Sequence, residues 1–261
     1  RSGMRARHDP YDAVIDLQRN KWSRLVRRLA VPRAFGEFDR FSPKSARERV
    51  AEAFASSGLA VPSPPHDLPL KPRVRERARE LLGEAGWDGA APLVVLNPAG
   101  IWPSRHWPVE HYAALAEMLA EESDARVLLL GTGRMKPRSD ALVRLLGRPP
   151  VDLIGRTTPG EALGVLVHAT LAVSEDSGLM HMAWVSGVPT VALFGSSPHI
   201  WSAPSGEHTV CLHSGDLPCG SCMEPVCRYG DVHCLTRRTP GEVFSVCRRL
   251  TVCLPRGGAA P

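Results

Sequence analysis

From Pro92 onward the chain alternates short apolar runs with longer amphipathic stretches. The runs at 93–97 (LVVLN), 126–130 (RVLLL), 151–154 (VDLI), 170–174 (TLAVS) and 189–194 (PTVALF) have the length of strands buried on both faces. Between them the spacing predicts helices at about 109–122, 138–147, 160–168 and 178–186, with a last one from Pro240 to Leu250. Strands alternating with helices in this way predict a doubly wound α/β domain with a parallel sheet covered on both faces. Ligands of such domains bind beyond the carboxyl ends of the strands.

The first part of the chain follows a different pattern. DAVIDL at 12–17 reads as a buried strand, followed by a basic amphipathic helix from about Lys21 to Ala30. Ser42 and Pro43 signal the start of a helix from Lys44 to Ser57, and another is expected from about Val74 to Ala85. The five prolines between Ala60 and Pro72 mark a linker. No clear second strand is visible in residues 1–90, and one strand is not a sheet. The expectation is therefore a chain that lacks upstream strands, in keeping with a start at Arg1 rather than Met. The domain reading is a partial N-terminal lobe and linker over 1–72 and a complete C-terminal lobe over 73–261.

Composition narrows the class. A hydrophobic fraction of 43% over 261 residues is that of a globular protein. No apolar run reaches the roughly 18 residues of a membrane span, and RSGMRARHDP has no signal-peptide core, so a cytoplasmic protein is expected. The net charge of +5 comes almost wholly from arginine, since Lys21, Lys44, Lys71 and Lys136 are the only lysines. Such a surface suits phosphorylated or acidic partners. The absence of a long basic block weighs against nucleic acid.

Four loops at predicted strand ends carry polar groups. In SEDSGLMHMAW, Asp176 and Ser177 suit a helix N-cap and Gly178 lets a ligand approach the backbone. Free N–H groups there favour a diphosphate, and His181 lies on the same helix face as Ser177. Plain capping with a structural histidine is the alternative. NPAGIWPSRHWP follows Asn97, with Gly100 for a tight turn, Ser104 and Arg105 as donors, and Trp107 as packing. Arg105 is the candidate that neutralises a leaving diphosphate. In GTGRMKPRSD, Gly131 and Thr132 offer a floor for a base or ribose, although a lone GTG lacks the rest of the dinucleotide fingerprint. Gly195, Ser196 and Ser197 form either a fourth set of donors or an ordinary turn.

Seven cysteines are present, four of them within CGSCMEPVCRYGDVHC. Cys219, Cys222, Cys227 and Cys234 follow the spacing C-x2-C-x4-C-x6-C, which allows one tetrahedral structural ion, zinc first and iron with the same ligands. Free or paired thiols are the alternative. In a cytoplasmic chain the metal reading is favoured.

YDAVIDLQ, NPAGIWPSRHWP, VDLIGRTTPGE, SEDSGLMHMAWVSGVPTVALFG and the cysteine cluster before TPGEV resemble glycosyltransferase family 9, the ADP-heptose:lipopolysaccharide heptosyltransferases, over about Tyr11 to Leu250. The cysteines resemble those of the heptosyltransferase II branch and the iron-binding loop of protein heptosyltransferases. The resemblance implies a GT-B fold of two Rossmann-like lobes and inverting transfer of heptose from ADP-heptose, with no catalytic metal. The implied acceptor is an acidic lipopolysaccharide inner-core glycolipid at the inner membrane. A protein or small-molecule acceptor, or a non-catalytic nucleotide-sugar binder, are the other readings. Carried over by position, Asp176, Ser177 and Gly178 resemble the family's donor-binding Asp-Thr-Gly and His181 its following histidine. Arg105 stands where the family usually has Lys, and Glu175 where Asn is common, adding a negative charge beside the expected anion site. The family's opening strand and its catalytic aspartate have no counterpart here, so no general base is nominated. Asp16, Arg19, Asn20 and Lys21 are candidates for the acceptor side, the last three also reading as a solvated helix face.

Overall fold

The computed structural model describes residues 11–61 and 69–253. They fall into two compact units, one holding residues up to 61 with Ile200–Ser202, the other holding 69–199 and 203–253. Most of the Pro-rich stretch expected to be a linker, residues 62–68, lies outside the described residues.

In the first unit, β1 (Ala13–Asp16) is followed by α1 (Lys21–Ala30), β2 (Ala34–Glu37) and α2 (Ala46–Ser56). β1 and β2 pair in parallel, Ala13 opposite Ala34 and Asp16 opposite Glu37. The expectation of a lone strand was therefore wrong: AFGE carries a glycine and a glutamate and shows no apolar run, yet it forms β2 because it lies beside β1. Asp16 ends β1 and is buried. Its carboxylate accepts from the backbone N–H of Gln18 (3.0 Å) and Arg19 (2.8 Å) and from the Ser23 hydroxyl (2.8 Å). Burial alone would raise its pKa, but these donors outweigh burial and hold it below the ordinary carboxylate value. Asn20 caps α1, accepting from Ser23 N–H while Ser23 Oγ accepts from Asn20 N–H. Arg19 pairs with Asp39 at 2.9 Å.

The second unit holds α3 (Pro72–Glu84), β3 (Leu93–Asn97), α4 (Val109–Ser123), β4 (Arg126–Gly131), α5 (Lys136–Val143), β5 (Val151–Ile154), α6 (Pro159–Leu166), β6 (Ala169–Glu175), α7 (Gly178–Val185), β7 (Thr190–Leu193), β8 (Thr209–Leu212), α9 (His233–Thr236) and α10 (Pro240–Cys253). A helical turn, α8 (His199–Ser202), separates β7 from β8. The six strands form one all-parallel sheet in the order β5-β4-β3-β6-β7-β8. Side chains alternate across it. Val94, Leu96, Leu129 and Val173 pack with Tyr112 and Leu115 of α4 and Val243 and Val246 of α10. Leu93, Val95, Leu128 and Leu130 pack on the other face with Leu81 and Leu82 of α3 and Val165 of α6. β8 was not expected; TVCL is half-buried at the sheet edge, where a strand needs little apolar signal.

The carboxylate of Asp16 generates a prediction about the first unit. Asp16→Ala leaves the N–H groups of Gln18 and Arg19, in the turn between β1 and α1, without a partner and should destabilise the unit by about 1–2 kcal/mol. Because the Asp16 pKa is lowered on folding, its contribution is present above the unfolded carboxylate value and is lost as pH falls through the folded one. Urea titration at neutral and acidic pH checks both: the difference between wild type and variant should shrink in acid.

Candidate functional site

The order of the strands fixes where a ligand can enter. From β3 the chain winds outward through β4 to β5, then returns to β6 on the other side of β3 and continues to β7 and β8. The winding therefore reverses between β3 and β6, and a crevice opens at their carboxyl ends. Asn97 ends β3, Glu175 ends β6, and α7 starts at Gly178.

Asn97 is fully buried, and its Nδ2 donates to Ser174 Oγ (3.0 Å) and Ser177 Oγ (2.9 Å). Its Oδ1 is buried with no partner among the described residues. Ser177 is the N-cap of α7, accepting from Met180 N–H at 3.3 Å. The first N–H groups of α7 have no acceptor within the helix. A Cβ built on Gly178 would meet nothing within 4 Å, so the space beside this helix start is open.

Asp176 and Arg105 meet at 3.1 Å, with side chains 13% and 15% exposed. The Arg105 guanidinium also lies over the Trp102 ring, 4.1 Å from its centroid. Trp102 thus stacks on a cation, while Trp107 is fully buried, edge-on to Tyr112 at 4.7 Å, and donates to the Arg238 carbonyl. His181 sits one turn into α7. Burial pushes its pKa below the ordinary value despite the opposing pull of Asp176, so the imidazole is neutral near pH 7 and offers one N–H.

The negative charge at Glu175 has a partner that sequence reading missed. Glu175 is fully buried and meets Arg138 Nη1 at 2.8 Å. Arg138 comes from the first turn of α5, where the run GRMKPR offered three basic residues and no means of choosing among them. Glu175 therefore faces into the protein and brings no net charge to the helix start.

The other expected residues divide. Gly100 is required where it stands, since a Cβ there would lie 2.8 Å from Glu175 Oε2. Ser104 is buried, with its hydroxyl between Ser196 Oγ (2.8 Å) and the Glu224 carbonyl (2.5 Å), and its N–H donates to the Pro225 carbonyl (3.2 Å). Its groups are spent on joining three loops, which removes it as a free donor. Gly131 has φ 154°, and a Cβ there would strike Met135 Sδ at 2.2 Å, so Met135 fills the place expected for a base or ribose floor. Thr132 is exposed just beyond the carboxyl end of β4, one strand away from Asn97.

Cys219, Cys222, Cys227 and Cys234 all line one cavity of about 600 Å³, next to Ser104 and Ser196. All four are free thiols. Burial pushes Cys234 up to about 11, and the three neighbouring thiols add to the rise. The set fits a thiophilic ion in kind. It is not closed, however: among the described residues no group of three or more His, Cys, Asp or Glu is gathered so as to hold a metal ion. Cys211 on β8 and Cys247 on α10 lie apart, both pushed up to about 12 by burial.

An all-parallel sheet with its winding reversal beside a capped helix start defines a doubly wound, Rossmann-like α/β lobe. Residues 3–233 match the family described as glycosyltransferase family 9 (heptosyltransferase). The chain belongs to this family. It is 30% identical over 241 residues to lipopolysaccharide heptosyltransferase 1 of Pseudomonas aeruginosa, covering 87% of this chain and 66% of that protein. Its fold is similar to a glycosyl transferase family 9 structure from Veillonella parvula, with TM-score 0.83, 19% identity and coverage of 97% of this chain and 78% of the other. It is also similar to E. coli ADP-heptose LPS heptosyltransferase II, with TM-score 0.74, 21% identity and coverage of 96% and 80%. The chain spans about two thirds or less of the length of the curated relatives it matches.

The buried Ser104 hydroxyl makes a prediction independent of any ligand. Ser104→Ala leaves the Glu224 carbonyl short of a donor and should destabilise the protein by about 1–3 kcal/mol. Hydrogen exchange should rise across residues 219–227 and stay unchanged in the central strands.

Proposed function

We propose that this chain is a glycosyltransferase moving heptose from ADP-heptose to a hydroxyl of a lipopolysaccharide inner-core acceptor, with inversion. The observation that carries the reading is the corner at the winding reversal, where the start of α7, Ser177, Asp176 and Arg105 converge. In this reading the C-terminal lobe, residues 73–261, binds the nucleotide-sugar, and the region 1–72 belongs to the acceptor side. The diphosphate lies at the start of α7, taking the free N–H groups and the positive end of the helix dipole. Arg105 leaves Asp176 for the phosphate oxygens, which then carry the charge released with ADP. Asp176, freed of Arg105, accepts from sugar hydroxyls, and the neutral His181 donates its N–H to an oxygen of the donor. Asn97 orients Ser177. Gly178 leaves room for the ligand at the helix start and Thr132 lies at the edge of the site, while Gly100 gives the Glu175 carboxylate its close approach and Gly131 makes room for Met135.

The acceptor hydroxyl forms a bond to the anomeric carbon as the carbon–oxygen bond to ADP breaks, the electron pair leaving with ADP. The attack comes from the face opposite the leaving group, which inverts the centre. The hydroxyl proton passes to a base that no described residue is assigned to be. In this reading the enzyme works in the cytoplasm, against the inner membrane surface, and the net charge of +5 suits an acidic acceptor.

The four-thiol cavity supports a second part of the proposal: Cys219, Cys222, Cys227 and Cys234 hold a structural zinc or iron ion, whose chemistry would be to crosslink the loop rather than to act on substrate.

ADP-heptose should raise the melting temperature of the wild-type chain, and Asp176→Ala and Arg105→Ala should each weaken its binding about tenfold or more. No shift with any ADP-sugar would overturn the donor reading. Turnover on a heptosylated Kdo–lipid A acceptor, and not on protein, tests the acceptor. Elemental analysis of the purified chain should give about one zinc or iron per chain, falling in Cys222→Ser. A metal-free, fully folded chain would overturn the metal assignment.

A further inference from the structure

Glu175 and Arg138 do more than neutralise each other. The carboxylate of Glu175 accepts from the backbone N–H of Gly100 at 2.6 Å and of Trp107 at 2.8 Å. Arg138 donates to the carbonyl of Pro98 at 2.9 Å and to that of Trp107 at 2.6 Å, while its Nη1 meets both Glu175 oxygens at 2.9 and 2.8 Å. One buried ion pair therefore holds the loop 98–107 by its backbone at both ends. His106 adds a bond across the loop, its Nε2 donating to the Gly100 carbonyl at 2.7 Å. Within the stapled loop Arg105 stacks on Trp102 and reaches Asp176, the residue after Glu175.

We propose that Glu175 and Arg138 are positioning residues for the donor site: together they form a latch that sets the loop 98–107, and so Arg105, for the diphosphate. Neither touches the donor. The inference rests on the donor reading given above and deepens it. The latch is built from groups that work only as a set. Without Glu175, Arg138 is a half-buried cation without its counter-ion, and two backbone N–H groups lose their acceptor. Without Arg138, Glu175 is a buried anion, and two carbonyls lose their donor. Such a pair contributes little net stability but specifies one geometry.

The latch is also exposed to pH. Burial pushes the Glu175 carboxyl up to about 7, against the pull of Arg138 and of the N–H groups of Gly100 and Trp107. Protonation as pH falls through that value removes the charge that holds the loop. The other ionisable groups facing it are Arg138, Tyr112, His106 and Asp176. Tyr112 stays protonated, because burial and Glu175 raise its pKa well above the ordinary value. His106 is held below the ordinary histidine value by burial and by Arg138, so it titrates on the acid side. Asp176 is paired with Arg105. Glu175→Gln removes the Glu175 titration and leaves the others.

The experiment measures ADP-heptose affinity and amide exchange over residues 98–107 between about pH 6 and pH 8, a window set by linkage to the Glu175 titration. It uses the wild type, Glu175→Gln, Arg138→Lys and the double variant. In the wild type, affinity and loop protection should both rise with pH. Glu175→Gln should lose about tenfold in affinity at pH 8, expose the Gly100 and Trp107 amides, and show no dependence on pH across the window. Arg138→Lys keeps the charge without the fork and should lose a similar factor, and the double variant should be little worse than either single one. Wild-type binding and protection that do not change with pH would overturn the latch, even if a variant fails to fold. So would folded single variants that bind as tightly as the wild type. Absence of donor binding by the wild type itself would overturn the donor reading, and this inference with it.

Discussion

The reversal of winding between β3 and β6 is the constraint on which the site depends. In a parallel sheet every crossover returns the chain to the same edge, so the loops at the carboxyl ends gather on one side. Where the winding changes direction, the two neighbouring loops diverge to opposite faces and leave a crevice that no crossover fills. Here the loop after β3 and the start of α7 border that crevice. The donors for an anion are then mostly backbone groups, already oriented by the helix. Little side-chain ordering is needed to create positive potential there.

A free loop at such a position would not hold an arginine in one place. Ten residues, 98–107, leave β3 without regular secondary structure apart from one short turn at Pro103–Arg105. Burying a carboxylate and a guanidinium together is expensive in solvation, and a hydrophobic pair of the same size would serve stability as well or better. What the ionic pair supplies instead is direction: each oxygen and each N–H must find a specific backbone partner. Gly100 fits the same logic, since only the lack of a Cβ lets the carboxylate come so close.

The cysteine-rich segment is tied into this loop system. Ser104 binds Glu224 and Pro225 through its hydroxyl and N–H, and Met223 N–H donates to the Ser196 carbonyl at 2.9 Å. The segment has little apolar content and three non-glycine residues at positive φ, Ser221, Met223 and Val232. It depends on these polar bonds, and on whatever its thiols hold, for its shape.

The sequence by itself determined the C-terminal lobe. Its strands are apolar runs buried on both faces, so the pattern is strong, and the helices between them start and stop within a few residues of expectation. Ser177 was legible as the cap of α7 because capping is local chemistry, read from adjacent residues; Asp176, the other cap candidate, pairs with Arg105 instead. β2 and β8 were not legible, because a short or edge strand is defined by its neighbour rather than by its own composition. Ser104 and Gly131 were read as ligand groups, since their type and place at strand ends suggested it. Only the tertiary structure showed one engaged with Ser196 and Glu224 and the other against Met135. Glu175 shows the limit most clearly. Its charge looked misplaced in sequence, because the Arg138 that compensates it comes from the start of α5, 37 positions away, and meets it only when β4 and β6 lie on either side of β3. Local hydrogen bonding and burial period leave a trace along the chain. Pairing between distant side chains does not, because it is created by the packing itself.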